Sequence, residues 1–408
     1  MQDWLKLYAS RADHMQASEI RELLKLLDQP DMISFAGGIP DPSVFPAKVF
    51  QEVYAELFEN GEHATALQYS VSEGYEPLRR WIADYMAKGG VDCSPENILI
   101  TNGAQQGLDY LGKLFLSPGD TALVGWPTYL GALQAFNAYE PNYDRLLPGG
   151  NRKPEDYRDL ADARGGKVKF AYTSADFANP TGETLSIAER QSILRQAQDL
   201  DIALVEDAAY QALRFDGESL PSILALEMQA TGDINACRTI YCGSFSKTIS
   251  PGLRVGWVCA SRTLIDKLVL LKQASDLNSS TINQMVMHRV AERCFDDQVS
   301  KVKAVYKQRR DAMLHALERY MPSGVHWSHP EGGMFLWLQL DETVDAGALL
   351  KRSLQEIKVA FVPGAAFFAD GSGKNCLRLN FTSCPPETIE IGISKLATVI
   401  EQSKSAAA

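Results

Sequence analysis

Thr239-Ile240-Tyr241-Cys242 is a short apolar run that leads directly into Gly243-Ser244-Phe245-Ser246-Lys247; seven residues after that lysine comes Arg254, heading a second apolar run, Val255-Gly256-Trp257-Val258-Cys259. A strand-length run rich in β-branched residues, opening into a loop with a lysine, serines and an arginine, reads as a buried strand whose end carries chemistry. The same kind of run recurs upstream at Ile98 to Thr101, Thr121 to Val124, Val168 to Tyr172 and Ile202 to Val205, with helical patterns between them. One of those helices announces its start: Ser186, with Glu189 three residues on, forms a capping box ahead of apolar positions at helical spacing. Strand and crossover helix in alternation predict an α/β core, a mostly parallel sheet with helices on both faces.

After Ser261 the pattern changes to long helical segments through about Tyr320, then to short strand-like runs, Met334 to Leu340 and Leu377 to Phe381, between Pro and Gly turns. This predicts a second, smaller α+β domain, with the segment before Pro46 folding back onto it. The expected division is an N-terminal arm contributing to the small domain (1–45), a large domain (46–285) and a C-terminal small domain (286–408), with the cleft between them as the ligand site.

Composition narrows the function. The chain has 408 residues, 45% hydrophobic and 22% charged, enough apolar content for a folded soluble protein of roughly two or three domains. Its net charge of −11, without any Lys/Arg cluster, argues against nucleic acid as a partner. Seven scattered cysteines with no Cys-x-x-Cys pair fit reduced thiols in a cytoplasmic enzyme, most simply as buried small hydrophobes. Neither a leader peptide nor a membrane span is expected from Met1 to Leu7 or from any later apolar stretch. The pair His326 and His329, separated by Trp327 and followed by Pro330, gives no metal-site signal, and no metal is expected. The terminal Ser-Lys-Ser-Ala-Ala-Ala reads as a frayed end.

Chemistry concentrates at the ends of the expected strands. Lys247 among Ser244, Ser246 and Arg254 can present an amine and an anion-binding set to one pocket, which a phosphate-bearing aldehyde would satisfy. Val205-Glu206-Asp207-Ala208-Ala209-Tyr210 puts an aspartate where ligands sit in open α/β sheets. Gly103-Ala104-Gln105 follows a strand and opens a helix, so its N–H groups can receive a phosphate. Asn179-Pro180-Thr181-Gly182, Trp126-Pro127-Thr128-Tyr129 and Leu377-Arg378-Leu379-Asn380-Phe381 complete the set; in the last, alternation sets Arg378 opposite three apolar side chains, and its guanidinium suits bidentate capture of a carboxylate. Each has a plain alternative: a surface turn for Lys247 and Arg254, a loop residue for Asp207, a generic Asn-Pro turn, a core tyrosine at Tyr129, a solvent-facing edge arginine at Arg378.

From about Ser18 to Phe381 these motifs, in this order, resemble the fold-type I pyridoxal-phosphate-dependent aminotransferases of class I/II. Ser18-Glu19-Ile20-Arg21 and Ser34-Phe35-Ala36-Gly37-Gly38-Ile39-Pro40 match the subfamily that includes 2-aminoadipate and kynurenine aminotransferases. The resemblance implies that Lys247 holds the cofactor as an internal aldimine, and that Ser244, Ser246, Arg254 and the N–H groups of Gly103, Ala104 and Gln105 hold its phosphate. It further implies Asp207 at the pyridine nitrogen, Tyr210 and Asn179 at the ring oxygen, and Tyr129 stacked on the ring. Arg378 and Asn179 would bind the substrate carboxylate, Gly38 would touch the substrate, and Arg21 would meet a distal carboxylate, although a charge on an amphipathic helix is the ordinary reading there. Tyr69, in Leu67-Gln68-Tyr69-Ser70, matches a tyrosine given to the neighbouring subunit's phosphate, implying a homodimer with shared active sites.

The implied activity is ping-pong transfer of an amino group from an L-amino acid to a 2-oxo acid such as 2-oxoglutarate or pyruvate. A lyase or decarboxylase on the same scaffold stays open, because fold does not choose which bond to the α-carbon breaks. An aminotransferase-like sensor domain of a bacterial regulator is the lesser alternative, since fewer than twenty residues precede Ser18, too few for a winged-helix domain. Three departures from the family pattern are Ala104 in place of a frequent serine, Gly125-Trp126 ahead of Pro127, and Ser174-Ala175-Asp176-Phe177-Ala178 ahead of Asn179. The last two fall toward the substrate end, where specificity is set.

Overall fold

The computed structural model describes residues 4–15, 31–150 and 152–407. The first strand, β1 (Ile33–Ser34), belongs to the second lobe. The next seven are β2 (Ile98–Thr101), β3 (Thr121–Val124), β4 (Asn142–Arg145), β5 (Val168–Thr173), β6 (Ala203–Asp207), β7 (Thr239–Ser244) and β8 (Gly256–Cys259), and they form one sheet in the order β2-β8-β7-β6-β5-β3-β4. Neighbours are parallel except at β8, which runs antiparallel to both β2 and β7.

The short apolar runs make strands because both faces of each are buried. Ile98, Ile100, Tyr241, Trp257 and Cys259 enter one core, and Leu99, Ile240, Cys242 and Val258 enter the other, as the two-residue period of a strand requires. Leu78, Ile82 and Met86 of helix Glu76–Lys88 cover the first face, while Leu108 and Leu111 of helix Ala104–Phe115 cover the second. Truncating Ile240, 1% exposed, to alanine would cost about 2–5 kcal/mol in lost transfer energy and cavity. The expected α/β core with helices on both faces is thus what the chain builds. In this sheet one strand was not expected: β4, Asn-Tyr-Asp-Arg, is a half-buried edge strand without an apolar run, the kind of edge that polar side chains keep from pairing further.

The second lobe holds β9 (His326–Trp327), β10 (Phe335–Gln339), β11 (Val359–Ala360), β12 (Val362–Pro363) and β13 (Cys376–Asn380). Four of them form an antiparallel sheet in the order β12-β13-β10-β9, and β11 pairs in parallel with β1. Ile33 and Ser34 of the segment before Pro46 thus pair with Val359 and Ala360 of this lobe. Its core joins Phe35, Leu336, Leu338, Leu377 and Leu379 to Ile389, Ile393 and Leu396 of helix Pro386–Ala407. Helix Thr281–Tyr320 runs from one core to the other, Met285 to Ala291 packing in the first and Val302 to Leu317 in the second, with non-helical Cys294 (φ −148°, ψ 15°) between.

Pairing register lines up one end of the large sheet. Gly256 lies opposite both Thr101 and Ser244, Cys242 opposite Asp207, and Glu206 opposite Thr173. The loops after β2, β5, β6 and β7 therefore open on a common edge, where ligands of such sheets bind. Beside Asp207, Glu206 points to the other side of the strand and accepts the N–H groups of Ile223 (2.8 Å) and Leu224 (3.0 Å), starting helix Ile223–Thr231; burial pushes its carboxyl up to about 7. Among the described residues no helix is long and apolar enough to cross a membrane, and no His, Cys, Asp and Glu side chains are grouped to hold a metal ion.

Candidate active site

At the end of β7 the Ser244 hydroxyl accepts the Ser246 N–H (3.1 Å), turning the chain so that Lys247 leaves the sheet edge. The lysine Nζ donates to the carbonyl of Gly38 (2.8 Å), contributed by the N-terminal segment, and stands 5.9 Å from the ring centre of Tyr210. Burial first, then the guanidiniums of Arg378 and Arg254, lower its pKa from 10.5 to about 8, against the opposing pull of Asp207. An amine so placed is partly neutral at physiological pH and able to act as nucleophile or base.

Asp207 ends β6 beside this lysine. Its carboxylate accepts the Tyr172 hydroxyl (2.8 Å) and the Ala209 N–H (3.3 Å), and its carbonyl accepts the Ser174 hydroxyl (2.9 Å). Burial pushes the carboxyl up while Tyr172, Ala209 and Lys247 pull it down. A buried carboxylate with a hydroxyl and an N–H on it is held in place and able to pair with a cation.

The anion end is built around Gly103, which caps helix Ala104–Phe115 at φ +74°. A Cβ at this position would sit 2.3 Å from Nη2 of Arg254, so only glycine admits the guanidinium there. Arg254 is itself exposed and left-handed (φ 55°), and it donates to the carbonyls of Asn102 (3.2 Å) and Pro251 (3.4 Å); among the described residues no carboxylate pairs with it. The first N–H groups of a helix lack intrahelical acceptors, and here they lie next to that cation. The Gln105 side chain is directed to the Gly131 carbonyl (2.6 Å), which leaves its backbone for an anion. A Cβ on Gly131 would meet the Tyr129 ring at 2.4 Å, so the ring folds over that glycine, close enough to Tyr172, Tyr210 and Arg378 to act on the charge of each.

The opposite end is set by Arg378 in the middle of β13, 1% exposed. Its Nη1 donates to Oδ1 of Asn179 and its Nη2 to the carbonyl of Ala36, both at 2.7 Å. The guanidinium carbon lies 4.1 Å from the centre of Phe335 and 5.1 Å from that of Phe367, and buried Nε has no partner. Burial lowers its pKa to about 10. Asn179, joined to Pro180 by a cis peptide, also hydrogen-bonds Tyr210.

Lys247, Asp207, Tyr210, Asn179, Tyr129, Arg378 and Gly38 are therefore brought together at the sheet edge, with Gly103, Ala104, Gln105, Ser244, Ser246 and Arg254 on the neighbouring loops. One expected residue stands apart. Tyr69 is 79% exposed on the surface of its own chain, and Arg21 lies outside the described residues. Sequence reading missed Tyr172, the hydroxyl on Asp207, which looked like an ordinary core aromatic. It also missed what Asp176 does. That atypical, buried residue takes Nη2 of Arg190 at 2.7 Å and Nη2 of Arg214 at 3.4 Å, and Arg214 continues to Glu331 of the second lobe at 2.6 Å. The loop leading to Asn179 is thereby anchored from below and across the cleft.

The donor set fits pyridoxal phosphate. Lys247 feels two guanidiniums and one carboxylate, Gly103 leaves room only because it lacks a Cβ, and the buried Arg378 has an unused Nε. Such a pocket asks for a ligand that is anionic at two ends and electrophilic in the middle.

Comparison with known proteins agrees. Residues 30–396 match the family model for aminotransferase class I and II. The chain is 42% identical over 407 residues to an aromatic-amino-acid aminotransferase of Thermococcus litoralis, covering 98% of this chain and 95% of that one. It is 40% identical over 400 residues to a 2-aminoadipate transaminase of Thermus thermophilus, covering 98% and 97%. Among solved structures, an α-aminoadipate aminotransferase of Thermus thermophilus complexed with N-(5'-phosphopyridoxyl)-L-leucine superposes with a TM-score of 0.88 at 38% identity, covering 99% of this chain and all of that one. From its motifs, its fold and these likenesses, the chain belongs to the class I and II aminotransferases and is a pyridoxal-phosphate-dependent enzyme of amino-group transfer.

Proposed function

We propose that the transfer runs between an L-amino acid and a 2-oxo acid at the Lys247 pocket, with each side chain in the following role. Lys247 holds the cofactor and then serves as the base that takes and returns the substrate α-proton at Nζ. Asp207, fixed by Tyr172, faces the ring nitrogen, Tyr210 and Asn179 the ring oxygen, and Tyr129 the ring face. Ser244, Ser246, Arg254 and the N–H groups of Gly103, Ala104 and Gln105 hold the phosphate. Arg378 and Asn179 orient the α-carboxylate, with Gly38 against the substrate. When bound, the cofactor supplies an electron-withdrawing ring and a carbonyl carbon that carries the amino group between partners. The single observation that carries this reading is the placement of the Lys247 amine, held by the Gly38 carbonyl at 2.8 Å with the charges of Arg378, Arg254 and Asp207 around it.

The relatives' names guide the choice of donor. Proteins 42% and 40% identical are named for aromatic amino acids and for 2-aminoadipate. We take long dicarboxylic and aromatic L-amino acids as the donor classes, with Arg21 on the distal carboxylate. The test is to load the protein with pyridoxal phosphate and add single amino acids. Conversion of the absorbance to that of the aminated cofactor is expected for glutamate, 2-aminoadipate or an aromatic donor, and failure with every amino acid would reject transfer.

A homodimer with shared sites is part of the same reading. Tyr69 stands with Leu67 (67% exposed), Val71 (57%) and Leu277 (47%) on one surface, drawn together by hydrogen bonds from Ser72 to Leu277 and from Thr281 to Gln68. An apolar patch carrying a phenol unsuited to its own pocket is what a second copy would cover. Sedimentation should give twice the chain mass. The arm (1–45), large domain (46–285) and small domain (286–408), and a cytoplasmic location, complete the proposal.

A further inference from the structure

Three of the seven cysteines gather on the face of the sheet away from Cys242. Cys259, the buried last residue of β8, donates its thiol hydrogen to the sulfur of Cys93 across 3.8 Å. Cys237 is close enough to act on Cys259 but is turned to the Thr231 hydroxyl (3.3 Å) and the Asp233 carbonyl (3.5 Å). Cys294, Cys376 and Cys384 each meet an oxygen instead. Cys93 and Cys259 are thus the one sulfur-to-sulfur contact among the described residues.

We infer that Cys93 and Cys259 form a two-cysteine oxidation site, at which hydrogen peroxide converts the thiol pair into a reversible disulfide. The backbone on each side is already clamped. Asn97 Nδ2 donates to the Ala260 carbonyl (3.0 Å), the Ala260 N–H donates to the Asn97 carbonyl (3.1 Å), and Asn97 Oδ1 accepts the Ser94 N–H (3.2 Å). A disulfide bond is about 2 Å long, so sulfurs now 3.8 Å apart must close by about 1.8 Å, and Cys93 lies on a loop outside helix and strand that can turn its side chain.

The two thiols differ as an attacking and a resolving cysteine must. Cys93 is half-buried and reachable, whereas Cys259 is fully buried. The hydrogen bond from Cys259 holds the Cys93 thiol below its ordinary pKa, favouring the thiolate that reacts with peroxide. The steps balance. The Cys93 thiolate attacks one peroxide oxygen, the O–O bond breaks, and the departing hydroxide takes a proton to leave as water, giving Cys93 sulfenic acid. Cys259 sulfur then attacks Cys93 sulfur as its own proton passes to the departing hydroxyl, and a second water leaves. Two thiols and one peroxide give one disulfide and two waters, the sulfurs losing the two electrons that the peroxide gains.

The cross-link would tie the loop before β2 to β8, the strand that begins beside Gly103 and Arg254. The test uses the pyridoxal-phosphate-loaded protein, treated with graded hydrogen peroxide, digested without reductant and read by mass spectrometry. The expected result is a Cys93–Cys259 linked peptide, lighter by two hydrogens and released by dithiothreitol. With it should come a thermal midpoint raised by about 3–6 °C in the oxidised form, since a cross-link restricts the unfolded chain. In Cys259→Ala the same dose should carry Cys93 on to sulfinic acid, and Cys93→Ser should yield no link. Wild-type protein that stays reduced, that goes to sulfinic acid at Cys93 unlinked, or that links Cys93 elsewhere would overturn the inference.

Discussion

The two cationic ends of the pocket are built in opposite ways. Arg254 and Lys247 sit seven residues apart in one loop, and Arg254 is exposed, held only by carbonyls at 3.2 and 3.4 Å. Arg378 is enclosed, fixed by two hydrogen bonds of 2.7 Å to residues far away in sequence and covered by two phenylalanine rings. The first end is a local motif open to an incoming anion. The second is organised in advance by the fold, and the burial that lowers its pKa to about 10 is the cost of holding a cation ready. On the proposed roles, chemistry tied to the cofactor is coded in a short loop, while substrate recognition depends on two lobes being packed correctly.

Substitutions should separate the two ends. The largest effect is expected from Lys247→Ala, which removes amine and base together: turnover should fall by about 10⁴-fold in a coupled assay with 2-oxoglutarate, with the thermal midpoint little changed. Arg378→Leu comes next. It should raise KM for the amino donor roughly 10²-fold, the size of a lost charge-assisted pair, while pyridoxal phosphate affinity measured by fluorescence quenching stays near wild type. Arg254→Gln should do the reverse on a smaller scale, weakening cofactor affinity about tenfold with the donor KM unchanged at saturating cofactor. If both arginine variants shifted the same constant, the division into two ends would be wrong.

The mildest test is the pH dependence of the cofactor-free protein. With a pKa of about 8, roughly one-tenth of the Lys247 amine is neutral at pH 7. Its acylation rate should rise through an apparent pKa near 8, where exposed lysines still respond only at higher pH. In the unfolded chain the amine keeps its proton up to about 10.5. Between 8 and 10.5 the unfolded state binds more protons, so this group adds stability as pH rises. A labelling profile that follows surface lysines would show that the amine is not lowered.

Legibility in the sequence follows the same division. The buried strands β2, β3, β5, β6, β7 and β8 were readable because short apolar runs between helices have few other solutions, and the residues at their ends came with them. β4 was not, since an edge strand of Asn, Tyr, Asp and Arg carries no burial signal. Arg378 could be placed on the right strand by alternation, yet its contacts with Ala36, Phe335 and Phe367 depend on which loops the lobes bring together. Asp176 stood out as unusual, but its pairing with Arg190 and Arg214 is a tertiary fact. Tyr172 gave no sign at all, because a core tyrosine and one that holds a buried carboxylate look alike until the partner is seen.

The central claim is that one amine, Lys247, takes the cofactor. Borohydride reduction of the pyridoxal-phosphate-loaded protein, followed by peptide mapping, tests it most directly. The expected result is a single phosphopyridoxyl label on Lys247; a label on another lysine, or none, would contradict it.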